Sequence, residues 1–140
     1  MGETSEELRR KGFEHVHIEH TRIDGPMLGI ADVDGVPHYF RRHDLSDEYV
    51  YSVWPVDDET FALEREHWRI TLAGNEGTPA THPARGGIDA RYDELTALLE
   101  PRRMPPEGAR LVKGEWSWAE DLEVRYHLGG TDYLVRWSEG

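Results

Sequence analysis

The chain has 140 residues, and its 28 acidic against 16 basic side chains leave a net charge of −12, with no cysteine. That balance argues against a basic face for nucleic-acid backbone or for an anionic membrane surface. The missing cysteines exclude disulfide scaffolds, Cys-ligated zinc, iron–sulfur clusters and thiol nucleophiles. No apolar run approaches the ~18 residues of a spanning helix, and MGETSEELRRKG lacks the apolar stretch of a secretory signal, so the expected location is the cytoplasm.

At this length a folded chain buries roughly 68–70% of the surface its unfolded form exposes, enough for a core without metal or disulfide. Five Trp, six Tyr and three Phe supply bulk against a mean hydropathy of −0.73. Residues 1–12 are polar apart from Leu8 and read as a flexible segment or short fraying helix, with nothing to bury. FEHVHIEHT follows as a strand, with Val16 and Ile18 on one side and His15, His17 and Glu19 on the other. Asp24-Gly25-Pro26 signals a turn. MLGIADV and VPHYFRRH flank Asp34-Gly35, which predicts a hairpin because both central turn positions require positive φ. YVYSVWPV at 49–56 is a further strand, ended by Pro55.

A helix is predicted over DDETFALEREHWRITL, capped by Asp57 and started by Asp58 and Glu59. Phe61 with Trp68, and Leu63 with Ile70, give it an apolar stripe, which assigns Glu64, Arg65 and Glu66 to water. Residues 73–87 form a long loop. A second helix from Asp89 to Glu100 places Ile88, Tyr92, Leu95 and Leu99 on one face and stops at Pro101. ARLVKGEWSW, LEVRYHL and DYLVRWS then read as strands, the last two joined by Gly129-Gly130. Strands and helices are segregated rather than alternating. The expected class is therefore α+β, an antiparallel sheet or small open barrel of about six to seven strands with two helices packed on it. Residues 13–140 form its single domain.

Among chemical motifs, HVHIEH has the form H-x-H-x-E-H. It resembles the H-x-H-x-D-H metal motif of metallo-β-lactamase-like hydrolases, with Glu19 where that family has Asp, but their longer αββα sandwich and further ligands do not fit this layout. His15 and His17 on one strand face are the candidate metal ligands, for zinc, with His38 or His43 as donors from a neighbouring strand. The competing reading is a row of half-exposed strand histidines. Glu64 and His67 form E-x-x-H, half of the di-iron carboxylate pattern. With one copy on one helix, the expectation is a charged outer face. None of the serines (Ser5, Ser46, Ser52, Ser117, Ser138) lies in G-x-S-x-G, and no phosphate-cradling glycine loop occurs, so no catalytic residues are assigned. Trp116 and Trp118 share a strand face while Tyr51 and Trp54 do not. An exposed aromatic beside Arg41 and Arg42 would make a recognition patch. The eight histidines would carry −12 toward −4 between about pH 7 and 5.

ADVDGVPHYF, SVWPVDDETFALEREHW and THPARGGIDARYDEL, within residues 27–99, resemble a set of short bacterial proteins of unknown function. The resemblance implies one compact domain, an antiparallel β region followed by this helix, and carries no activity, cofactor or partner. The functional expectation is a non-enzymatic intracellular interaction or regulatory domain. The alternatives are an acidic immunity or inhibitor protein for a basic protein partner, and a His-ligated metal-dependent hydrolase or small-molecule binder.

Overall fold

The computed structural model describes residues 3–22, 26–43, 49–74, 77–121 and 133–139. Its elements are α1 (Ser5–Arg10), β1 (Val16–Arg22), β2 (Pro26–Val33), β3 (Val36–Arg42), β4 (Val50–Pro55), α2 (Asp58–Gly74), α3 (Ala90–Leu99), β5 (Arg110–Trp118) and β6 (Tyr133–Glu139). Short 3-10 turns occupy Pro79–Thr81, Pro83–Arg85 and Glu100–Arg103. The strands form one antiparallel sheet in chain order, β1 to β6. It curls into a half-barrel, with Glu14 bridged to Val135 by paired backbone hydrogen bonds. This is the α+β class the sequence implies. The predicted strand LEVRYHL, its Gly129-Gly130 turn, and Asp24-Gly25 of the predicted turn before β2 lie outside the described residues.

Local rules account for the joints. Asp34 and Gly35 have φ of 54° and 78°, both positive as the two-residue hairpin between β2 and β3 demands. Asp57 Oδ1 accepts from the Thr60 N–H at 2.7 Å, so α2 starts on its expected cap, and Asp89, the expected start of the second helix, caps α3 by accepting from the Tyr92 N–H at 2.9 Å. In the 73–87 stretch, α2 runs on to Gly74 before the two 3-10 turns begin.

The sheet has two different faces. The concave face holds Phe40, Tyr51, Val53, Val112, Tyr133 and Val135, with Trp116 and Trp137 packed against them. Opposite lie Ile18, Ile30, Tyr39, Trp54 and Val56, covered by Phe61 and Trp68 of α2. Tyr51 and Trp54 thus occupy opposite faces, as their spacing predicts.

Residues 1–12 hold a short helix, one of the two expected forms, but the expectation of nothing to bury fails. Leu8 is buried with Phe13, Ala119 and Leu134, because α1 lies over the back of β6 and gives Leu8 an apolar socket. β1 departs as well. Its pairing with β2 shifts between Val16 and Ile18 and again between Glu19 and Thr21. Each extra residue inverts the alternation, so Val16 joins the concave core and Ile18 the helix-covered one. The expected common side for Val16 and Ile18 is therefore incorrect.

Candidate functional site

The residues that break β1's register are His17 and His20. A bulge re-aims a side chain that strict alternation would send elsewhere, and both rings meet α2. His17 packs edge-on against Phe61, with ring centroids 5.0 Å apart. His20 packs edge-on against Trp68 at 5.6 Å, and its Nε2 reaches Glu64 Oε1 at 3.0 Å.

Glu64 does not face water. Its side chain is fully buried and His67 is 4% exposed, which overturns the reading of E-x-x-H as an outer face. The physical reason is a second stripe on α2. Thr60, Glu64, His67 and Leu72 form its buried set, beside the half-buried Phe61 and Trp68. Hydropathy sends polar residues outward. Here they turn inward because each finds a partner on another element.

Arg103, from the turn after α3, clamps Glu64 with two hydrogen bonds, Nε to Oε2 at 2.9 Å and Nη2 to Oε1 at 2.7 Å. Tyr39 of β3 donates its hydroxyl to Oε2 at 2.5 Å, and His20 completes the set on Oε1. Each carboxylate oxygen therefore accepts two bonds. Burial raises the Glu64 carboxyl, but hydrogen bonds from Arg103 and His20 outweigh it and hold the acid well below the usual carboxylate range. Since an ionised carboxylate only accepts, His20 carries its proton on Nε2. Burial lowers the His20 pKa, and pushes the Tyr39 hydroxyl up, with the Glu64 charge adding to the latter.

His67 is fixed by a similar argument. Thr96 Oγ1 donates its one hydrogen to the Tyr92 carbonyl at 2.9 Å, so it must accept from His67 Nε2–H, also at 2.9 Å. Nδ1 is then the unprotonated nitrogen, and Arg103 Nη2 stands 3.4 Å from it. Tyr92 stacks on the ring with centroids 4.2 Å apart. Burial, then repulsion by Arg103, bring the His67 pKa down to about 4. The ligating atoms of His20, Glu64 and His67 all lie within 4.8 Å of one another.

The residues picked from the sequence lie elsewhere. His15 and His17 do touch, with centroids 4.5 Å apart, but His17 Nε2 is engaged by Asp32 Oδ1 at 2.7 Å. His38 Nδ1 bonds the Val36 carbonyl at 2.7 Å, and His43 is exposed at the end of β3. Among the described residues, the grouping that could hold an ion is His20, Glu64 and His67. An Arg41–Arg42 recognition patch does not form. Arg42 is buried with its guanidinium over the Tyr49 ring, and Arg41 is half-buried, donating to the Arg103 carbonyl. Trp118, by contrast, is 60% exposed beside a small cleft of Pro26, Trp116, Ser117 and Tyr133.

Sequence reasoning missed His20, Tyr39, Arg103 and the buried state of Glu64. The available signal was an E-x-x-H whose two members lie on one helix face, in a chain with a third histidine on a β-run. No helix among the described residues is long and apolar enough to cross a membrane. No family model, curated protein or solved structure matches the chain.

Proposed function

We propose that the chain is a non-enzymatic interaction domain whose partner is a basic protein. The carrying observation is that the densest cluster of ionisable groups is turned inward and fully engaged. Both Glu64 oxygens and both His67 nitrogens have partners, and Glu64 has no exposed surface. Such a cluster presents no reactive atom to a substrate, while the net charge of −12 is left to be expressed at the surface. An acidic surface steers a basic partner and raises its association rate. Trp118, the most exposed large apolar side chain among the described residues, supplies an anchor of the type that dominates binding interfaces.

Native mass spectrometry of untagged protein, purified gently at low salt and without chelator, tests this. The expected result is a complex with a basic protein that re-forms from purified components. Its affinity should fall steeply with ionic strength and weaken in Trp118→Ala. Salt-indifferent association, or turnover of a co-purified small molecule, would overturn the reading.

A further inference from the structure

The polar cluster under α2 has the composition of a metal site. Two imidazoles and one carboxylate are the donor set of three-ligand zinc centres, and imidazole with carboxylate suits divalent transition ions generally. Here His20, Glu64 and His67 come from a strand bulge and one helix face, and their donor atoms already lie within 4.8 Å of each other. His67 is also oriented as metal-bound histidines are. Its Nε2–H is tied to Thr96, so the lone pair on Nδ1 points toward Glu64 and Arg103.

One group stands in the way. Arg103 Nη2 lies 2.7 Å from Glu64 Oε1 and 3.4 Å from His67 Nδ1, a cation held between two of the three donors. It is delivered by the short turn Glu100–Arg103, and its side chain is 14% exposed, so it has a route to solvent that Glu64 lacks. We propose that His20, Glu64 and His67 form a binding site for a divalent transition ion of the zinc class, with Arg103 as its tethered competitor. For the ion to enter, the guanidinium leaves and His20 moves its proton from Nε2 to Nδ1. The tautomer shift exchanges one N–H bond of His20 for another, and the only further bonds made are the coordinate bonds. The short turn that carries Arg103 is itself held to β3 and β4, since the Arg103 and Arg102 carbonyls accept from Arg41 and Trp54. Ion binding therefore replaces the guanidinium as the partner of Glu64 while the backbone of the turn keeps its place. The proposal uses the inward cluster and does not depend on the identity of any protein partner.

The test is titration of the full, chelator-washed chain with zinc chloride, followed by calorimetry and native mass spectrometry. The expected result is one bound ion, held at least tenfold more tightly in Arg103→Ala. In that background, His67→Ala should weaken it a hundredfold or more, whereas His15→Ala with His17→Ala should leave it unchanged. Because Arg103→Ala strips a buried carboxylate of its partner and could unfold, the wild-type chain gives an independent readout. On adding zinc, the ring resonances of His20 and His67 should shift while those of His15 and His17 stay in place. An ion lost with His15 and His17, one retained without His67, wild-type spectra unmoved by zinc, or no tightening in a folded Arg103→Ala would each overturn the proposal.

Discussion

The two faces of the sheet solve the same burial problem with opposite chemistry. The concave face is filled by interlocked rings. Phe40 meets Tyr51, Trp116 and Trp137 with centroids between 5.4 and 6.1 Å, and Tyr51 meets both tryptophans again. The helix-covered face has an apolar half too, but its centre is the ionised Glu64 and the four bonds it accepts. Ring packing is tolerant of small shifts and costs no desolvation of charge. A buried ion pair depends on every partner being in place, and removing one leaves an uncompensated charge. The difference teaches where the molecule is specific. The rings supply bulk, whereas the Glu64 cluster fixes the relative positions of β1, β3, α2 and the turn after α3.

The largest break in this comparison is expected on the concave side. A Cβ at Gly29 would lie 2.0 Å from the Ile18 carbonyl oxygen and 2.7 Å from the Phe40 ring. Backbone cannot yield as a side chain does, so Gly29→Ala should abolish cooperative unfolding, as followed by circular dichroism. Phe40→Ala in the same face should cost about 3–5 kcal/mol in chemical denaturation, by loss of burial and the cavity left behind.

The helix-covered face should instead be sensitive to acid. With chelator present, His67 titrates near 4 when folded and near 6.5 when unfolded. Between those values the unfolded chain binds the proton and the folded chain does not, so stability is complete above 6.5 and falls as pH drops toward 4. The loss is about 3 kcal/mol, and the depressed Glu64 carboxyl acts in the same direction at lower pH. A denaturation midpoint that stayed constant from pH 7 to 4.5 would show that His67 is not held neutral. The same burial limits the gain of positive charge expected of eight histidines, since His15, His20 and His67 all have lowered pKa values. The smallest effect belongs to neither face's interior. Trp118→Ala should change stability by less than about 0.5 kcal/mol, while lowering accessibility of tryptophan fluorescence to an aqueous quencher.

Much of the fold was legible because it follows local rules. The Asp34-Gly35 hairpin, the Asp57 cap, and the segregated order of strands and helices are written in short windows of sequence. The site was not legible for the opposite reason. Glu64 is polar by any local measure, and its burial is offset only by partners distant in sequence, His20, Tyr39 and, 39 positions later, Arg103. His20 is placed by a bulge, which no alternation pattern announces, and a second such irregularity, at His17, moved Val16 away from Ile18. Leu8 was similar, an isolated apolar residue whose socket is built by Ala119 and Leu134 at the far end of the chain.

The central claim, that a saturated ion pair organises the helix-covered face, is tested most directly by a double-mutant cycle on Glu64 and Arg103. Glu64→Gln and Arg103→Met would each be made alone and then together, with unfolding free energies measured in chelator. Each single substitution should destabilise by about 3–5 kcal/mol, and the pair should lose markedly less than the two summed, since no buried charge is left unpaired. Additive losses would contradict the account, and would mean that the two side chains are buried independently of one another.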